Sequence, residues 1–476
     1  MKLTFYGGAG QVTGANYLLD FGDKKIIVEC GLNQGSKFAE GQNYADFKYD
    51  PAKIDVICLT HSHMDHVGRV PKLYKDGFRG QILGTKATVD LMAAALPNSL
   101  SLIKDEAKQD GHEPLYGQED VDGAIALSRG LAYHELVDIG NGISIQLHDA
   151  GHILGSSIIE IRWHENDALK RIYFSGDLGN PPTPFLKSTE FIRNADYIVV
   201  ESAYGDRIHE DKGLRKEKLE NVIENTVKDG GVLMIPSFAM ERTQELLFEL
   251  NELIDNKRIP KIPVFVDSPL AIKITEVYKK HDDLFNKEAA YLASSGDDIF
   301  NFPGLSLTKT TAQSKEINAT PNPKIIIAGS GMSQGGRILH HERRYLPDPK
   351  STILFIGYQV NGSLGRRILE GDKKVRIFGE TIEVKCKVEA IGGYSAHADQ
   401  PALLKWIKGA KSYLENNASC EFDNHVIKPD GAVNHKLKKV FIVQGEKEAS
   451  ETLAGIIRDD IAIEAIVPEE GNTFEL

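Results

Sequence analysis

The 476-residue chain is poor in cysteine, and its four, Cys30, Cys58, Cys386 and Cys420, have no paired spacing. That excludes a disulfide framework. No apolar run approaches the ~20 residues needed to cross a bilayer. The start, Met1 to Gly8, enters strand-and-turn chemistry without the apolar core of a signal peptide. A cytoplasmic protein with no membrane partner is therefore expected. Positive charge is also in short supply: the net charge is −12. This argues against a surface coated for nonspecific nucleic-acid binding, although a local basic groove is compatible with it. Internal repeats and low-complexity tracts are absent from the sequence. What is present is ordinary for a globular protein, 41% hydrophobic and 26% charged residues, in a chain long enough for two or three domains.

The first two hundred residues read as short strands separated by glycine turns, near 16–21, 25–29, 55–59, 144–148, 157–163, 171–175 and 197–201. A helix is expected at 87–96. From about Gly205 strands and helices alternate: helices at 214–228, 242–256, 272–280 and 336–344, strands at 231–236, 264–267, 324–328 and 352–358. That alternation predicts a separate α/β domain with a parallel sheet. Near Val384 strand-and-turn texture returns, followed by a helix at 401–408, a strand at 439–443 and a helix at 451–463. The polar stretch 415–437 reads as an exposed insertion.

The densest chemistry is Thr60-His61-Ser62-His63-Met64-Asp65-His66, directly after the apolar run Val56-Ile57-Cys58-Leu59. Imidazole and carboxylate are the side chains that bind zinc-like ions. In an extended segment side chains alternate, so His61 and His63 point the same way and can share one metal. Asp65 and His66 lie further round the turn, where a second metal could take them. Two later segments continue the theme. Ala150-Gly151-His152-Ile153-Leu154-Gly155-Ser156 carries a histidine after a strand, and Phe174-Ser175-Gly176-Asp177-Leu178-Gly179 carries an acid after another. Together they supply what a two-metal hydrolytic centre lacks: a third imidazole and a carboxylate that can bridge.

In this order, His-x-His-x-Asp-His, Gly-His-x-Leu-Gly and Ser-Gly-Asp resemble the metallo-β-lactamase fold. The resemblance implies that His61, His63 and His152 hold one zinc, Asp65 and His66 the other, and that Asp177 bridges them. The family's Asp-Cys-Gly appears as Glu29-Cys30-Gly31, one methylene longer, which shifts the support of the metal loop. Four further segments resemble the β-CASP insertion. They are Val200-Glu201-Ser202-Ala203-Tyr204-Gly205-Asp206-Arg207, Pro236-Ser237-Phe238-Ala239 with Arg242 and Gln244, Gly329-Ser330-Gly331-Met332 with Gly335-Gly336-Arg337, and Ile391-Gly392-Gly393-Tyr394-Ser395-Ala396-His397-Ala398-Asp399. The expected fold is thus an αββα metallo-β-lactamase sandwich (residues 1–204 and 385–476) with an inserted β-CASP α/β domain (residues 205–384), similar to the RNA-processing nucleases of that family.

The resemblance implies a zinc-dependent ribonuclease that hydrolyses phosphodiesters of single-stranded RNA, with Asp65 and Asp177 at the metals. His397 would be general acid, oriented by Glu201. Two Zn²⁺ per chain are expected, the second weaker, because the histidine that precedes Gly-Glu in the family's third β-CASP motif is Gln444 here, and a carboxamide is a poorer zinc ligand than imidazole. Substrate is expected in a cleft between the domains. Arg242, Arg337, Arg366 and Arg367 are candidates for the phosphate path, and Ser330, Gly331 and Met332 for a backbone anion nest. His340 and His341 read as groove or packing residues, not ligands. A homodimer is compatible with the resemblance. The rival readings are a catalytically attenuated scaffold that binds RNA, a DNA nuclease of the same superfamily, and a hydrolase of small esters.

Overall fold

The structure is a computed structural model and describes every residue except 36, 167, 210, 211, 361 and 412–436. The stretch read as an insertion, 415–437, lies outside the described residues apart from Leu437. The chain divides into two compact units.

The first unit comprises Met1–Pro181, Ser188–Ile208 and His397–Leu476. It holds two seven-stranded sheets. One runs, in spatial order, Thr473–Glu475, Lys2–Gly7, Asn16–Asp20, Lys25–Val28, Val56–Cys58, Gln81–Thr85 and Ser128–Leu131. The other runs Glu464–Ile466, Lys439–Val443, Tyr197–Glu201, Ala168–Phe174, Ser157–Glu165, Ile143–Asp149 and Val137–Gly140. The period-2 alternation of strand side chains explains why both faces of each sheet are covered. Ile26, Val28, Val56 and Cys58 of the first sheet meet Tyr197, Val199, Phe441 and Val443 of the second in one shared core. The intervening Ile27, Ile57 and Ile82 pack outward on the helices Val70–Lys75, Lys86–Asp110 and Gln118–Ala126. Ile198, Val200, Val440 and Ile442 pack outward on Leu403, Trp406 and Leu453 of the helices Gln400–Lys411 and Lys447–Ile456. Helix, sheet, sheet, helix is the αββα sandwich that the motifs imply. The Phe441 ring packs tilted against Phe5 and Phe474, with centroids 5.4 and 5.0 Å apart, so its truncation to alanine would cost roughly 3–5 kcal/mol.

The helix expected at 87–96 runs from Lys86 to Asp110, straight through Pro97. Pro97 removes one backbone donor. Burial of Leu91, Met92 and Leu96 before it and of Leu100, Ile103 and Ala107 after it outweighs that loss. Thr85 caps the start through its hydroxyl, and Gly111 closes the end at φ 77°. The helix expected at 451–463 begins four residues earlier and gives way to a π-turn at Ile457–Ile461.

The second unit comprises Pro182–Lys187 and His209–Ala396. Its six-stranded sheet has the order Leu305–Leu307, Val264–Val266, Lys324–Ala328, Val232–Pro236, Thr352–Phe355, Lys387–Ala390, all pairs parallel. Central strands such as Val232–Pro236 and Lys324–Ala328 are buried throughout, as parallel strands covered by crossover helices are.

Candidate metal centre

Six strands of the first unit end together, and the chemistry follows their carboxyl ends. Glu29 follows Lys25–Val28, and His61, His63, Asp65 and His66 follow Val56–Cys58. His152 follows Ile143–Asp149, and Asp177 follows Ala168–Phe174. Glu201 ends Tyr197–Glu201, and Gln444 follows Lys439–Val443. Strong hydrophobic strands thus deliver short polar loops to one edge of the sandwich.

Each loop is pinned. Met64–Val67 makes a single helical turn whose backbone is gripped by the Glu29-Cys30-Gly31 segment: Cys30 N–H donates to His66 O at 2.7 Å and Leu32 N–H to Met64 O at 2.8 Å. A Cβ on Gly31 would stand 1.5 Å from Asp65 O, so only glycine permits this approach. Glu29 Oε1 accepts from Thr60 N at 3.0 Å and lies 3.5 Å from His66 Nδ1. Ser156 Oγ accepts from His152 N at 2.9 Å. Gly176, at φ 53°, lets the chain turn against Thr60.

The side chains converge. His61 Nε2 lies 3.0 Å from His63 Nδ1, and His152 Nε2 lies 3.4 Å from that same nitrogen. Asp177 Oδ2 is 3.4 Å from His61 Nε2 and 3.5 Å from His152 Nε2. Ligand atoms of all four residues lie within 4.8 Å of one another. Burial drives the imidazoles of His61, His63 and His152 below their ordinary pKa, reinforced by the neighbouring histidines, so they are neutral. Burial would raise the carboxyl of Asp177, but His66, His397 and His61 hold it well below the usual range. Three neutral imidazoles and one carboxylate thus bring one ligand atom each to a common point. The donor set fits a divalent metal.

The second expected set is looser. His66 Nε2 lies 3.4 Å from Asp177 Oδ1 and 3.7 Å from Asp65 Oδ2. Gln444, at φ 49°, is fixed by its N–H to Gly8 O at 2.7 Å. Its amide nitrogen faces His66 Nε2 at 2.8 Å and Asp177 Oδ1 at 3.3 Å, while Tyr17 O–H donates to its Oε1 at 3.4 Å. In this orientation, an assignment from the hydrogen-bond network, Gln444 offers the site a donor and not a ligand. Tyr17 was not singled out from the sequence, and nothing local marks it.

His397 stands beside this cluster. Its Nδ1 is 2.9 Å from Glu201 Oε2, whose other oxygen accepts from Leu178 N at 2.5 Å. The Asp177 carboxylate lies 3.8 Å from the same nitrogen. Burial alone would lower the His397 imidazole, but Glu201 and Asp177 lift it to about 9.

The residues expected to bind substrate belong to the second unit, where most are engaged by their neighbours. Arg242 pairs with Glu245, Arg366 Nε with Glu370 at 2.7 Å and Arg367 Nε with Asp372 at 2.8 Å. Arg337 donates to Asp267 Oδ1 at 2.7 Å and Thr308 O at 3.0 Å. Ser330 Oγ accepts from Gln334 N and Gly335 N of its own turn at 3.0 and 3.2 Å. The Gly331 and Met332 carbonyls accept from Gln359 Nε2 and Gly365 N. His341 is buried on Asp267 at 2.8 Å, and His340 is exposed, its ring 4.6 Å from Phe378.

Residues 9–223 match the family described as the metallo-beta-lactamase superfamily, 243–368 the Beta-Casp domain, and 381–412 the Zn-dependent metallo-hydrolase RNA specificity domain. Ribonuclease TTHA0252 of Thermus thermophilus is 36% identical over 409 residues, 86% of this chain and 91% of that protein. The chain belongs to the β-CASP group of the metallo-β-lactamase superfamily. Transcription termination factor FttA of Methanosarcina mazei is 30% identical over 422 residues, which span 86% of this β-CASP chain but 64% of that protein. A crystal structure of a protein of unknown function from Enterococcus faecalis V583 aligns over 100% of the chain and 99% of its own with a TM-score of 0.54 at 12% identity, a likeness of fold. Divalent-metal binding by this β-CASP protein follows from the family and from the His61, His63, His152 and Asp177 cluster.

Proposed function

We propose that this β-CASP protein is a zinc-dependent ribonuclease that hydrolyses single-stranded RNA. The observation that carries the reading is the convergence of His61, His63, His152 and Asp177 beside the His397–Glu201 pair. In the family's relatives, one carries the name ribonuclease and another the name transcription termination factor. His61, His63, His152 and Asp177 would hold one zinc; Asp65, His66 and Asp177 would hold a second, weaker one. Bound there, the cations would supply Lewis acidity toward a water and an attacked phosphate.

The chain's own groups do the rest. Leu178 N–H fixes Glu201, and Glu201 accepts from His397 Nδ1, which leaves Nε2 of the ring to carry a proton. With its pKa lifted to about 9, His397 is protonated at neutral pH, the form that can hand a proton to a departing 3′ oxygen. Asp177 is buried and ionised, so it can bridge two cationic positions without first losing a proton.

The test is direct. End-labelled single-stranded RNA and DNA of one sequence are incubated with the zinc-loaded protein and with His63→Ala and Asp177→Ala. Cleavage of RNA by the wild type, lost in both variants while circular dichroism stays native, is the expected result. Cleavage that survives either substitution, or that persists in chelator-stripped protein, would sink the reading. Cutting of DNA in preference to RNA would move it to the DNA branch of the superfamily.

A further inference from the structure

A second group of ligand-type side chains lies in the first unit, outside the centre above. His134, His148 and Glu190 each bring one ligand atom within 4.8 Å of the others. His134 Nε2 is 3.2 Å from Glu190 Oε1, His148 Nδ1 is 3.7 Å from Glu190 Oε2, and the two rings sit edge to face at 5.4 Å. A simple ion pair would explain one of these contacts, but it does not require the arrangement behind them.

Behind His148, its other nitrogen Nε2 is 2.9 Å from Glu160 Oε2. Glu160 is buried at 1% exposure and held from both sides. Arg162 donates to its two oxygens at 2.6 and 2.9 Å, and Arg171 Nε lies 3.3 Å away. A carboxylate that takes the far N–H of an imidazole fixes the ring's tautomer and aims the near nitrogen outward, the support that metal-ligating histidines use. Arg162 and Arg171 more than balance Glu160, so Glu190 is the carboxylate left to face the open side.

The ligands are also positioned by backbone. His134, in the left-handed region at φ 63°, donates its N–H to Leu147 O at 2.8 Å, and its carbonyl accepts from Gln146 Nε2 at 2.6 Å. Glu190 N–H donates to Asp149 O at 2.9 Å, and its carbonyl accepts from Trp406 Nε1, also at 2.9 Å. A non-glycine residue at positive φ persists where its surroundings determine it. All three ligands are therefore tied to the strand Ile143–Asp149 and its neighbours.

We propose that His134, His148 and Glu190 form a structural site for a divalent cation of the zinc class, separate from the centre of His61, His63, His152 and Asp177. Two imidazoles and one carboxylate are the donors such ions prefer, whereas calcium and magnesium take oxygen ligands. His134 and Glu190 are partly exposed, so water completes the coordination. The site would fasten the segment at Thr189 and Glu190 to the loop that carries His152, since Thr189 Oγ1 already donates to Ala150 O at 2.8 Å.

A proton competes with the cation. The groups facing His148 are Glu160, Glu190, His134 and the ring of Tyr173. Burial lowers His148, but the bonds to Glu160 and Glu190 outweigh it and lift the imidazole to about 9. Loading is therefore done at mildly alkaline pH, where the Nδ1 proton leaves more readily and Nε2–H stays on Glu160.

The full-length protein is stripped with chelator, reloaded with excess zinc, desalted, and its metal counted by mass spectrometry, alongside His134→Ala and Glu190→Gln. Each variant is expected to hold one equivalent fewer than the wild type, and the double variant to lose no more than either alone. The same one-equivalent deficit should persist in a His63→Ala background, which separates this result from the fate of the catalytic centre. Glu190→Gln keeps shape and backbone contacts, so it answers the question if His134→Ala fails to fold. Equal stoichiometry in the wild type and either folded variant would overturn the proposal and leave the cluster an ion-pair network.

Discussion

Glu342 offers a measurement that isolates a single proton. It is 0% exposed on the helix Ile338–Tyr345, where Oε1 accepts the Ser333 hydroxyl and Oε2 has no partner. Burial pushes its carboxyl up to about 8, against which the Ser333 bond acts only partly. The native protein therefore carries a neutral acid at this position at pH 7, while the unfolded chain carries a carboxylate. Between the ordinary glutamate value of 4.5 and about 8 the unfolded state binds fewer protons than the native one. The sign follows: this group's contribution is intact below 4.5, declines as pH rises, and is fully lost above about 8. Its slope is about 1.4 kcal/mol per pH unit. Glu342→Gln abolishes the titration and changes little else, because the amide nitrogen replaces an acid oxygen that already lacks a partner. Any fixed cost of the swap cancels when two pH values are compared. From about pH 5.5 to about pH 7.5 the stability of the variant relative to wild type should rise by roughly 2.7 kcal/mol. Hydrogen exchange of the peptide covering residues 338–345, read by mass spectrometry across a urea series, reports that difference for this helix. A variant-minus-wild-type difference that is flat with pH would mean Glu342 is ionised in the native state, and the reasoning would fail. The outcome bears on the turn Gly329–Arg337 as well, since Ser333, at φ 55°, rests on this carboxyl.

Two further expectations are simpler. Gln444→His would set a second imidazole against His66 and Asp177; metal affinity at that position should tighten on the order of 10–100-fold, read as slower loss of a second zinc to chelator, and an unchanged rate would remove Gln444 from the site. Arg215 is buried against Glu249 and Glu245 with its guanidinium 4.3 Å from the Tyr394 ring. Arg215→Ala would strand Glu249 and destabilise the protein by about 3–5 kcal/mol, while Arg215→Met with Glu249→Leu should recover most of the loss in a thermal melt; an Arg215→Ala protein as stable as wild type would refute the pairing.

The parts of the molecule that could be read from the chain are those whose chemistry is local. His61, His63, Asp65 and His66 fall within six residues, and an unbroken apolar run such as Ile26-Ile27-Val28 already announces a strand packed on both faces. The arginines show where a local reading stops short and where it could have gone further. Glu245 and Glu370 lie three and four residues from Arg242 and Arg366, where helical spacing alone signals the pairs; Asp372, five residues from Arg367, lies past the helix end at Leu369. Asp267 is 70 residues from Arg337 and reaches it only through the parallel sheet. No window of sequence contains that contact. The helix expected at 87–96 is present but runs on past Pro97 for a related reason: the proline is local, and the packing that overrides it comes from other elements.

Gln444 is the instructive residue, because its identity could be read and its orientation could not. The partner of its Oε1 is Tyr17, 427 positions away. His66 is lifted well above its usual pKa: burial lowers it, and Asp177, Asp65 and Glu29 overcome that. A protonated His66 Nε2 and the Gln444 amide nitrogen would then be two donors facing each other at 2.8 Å. Rotating the amide by half a turn relieves this, since Oε1 would face His66 and the Tyr17 hydroxyl, which can donate or accept, would take the N–H. The same rotation gives up the N–H bond to Asp177 and sets the carboxamide oxygen against that carboxylate, two acceptors that repel unless a second cation lies between them. Histidine at this position would present a lone pair only when deprotonated, whereas glutamine exchanges donor for acceptor without gaining or losing a proton. Glutamine therefore adds no titration of its own to this corner, where the charge of His66 decides which face of the carboxamide turns toward it.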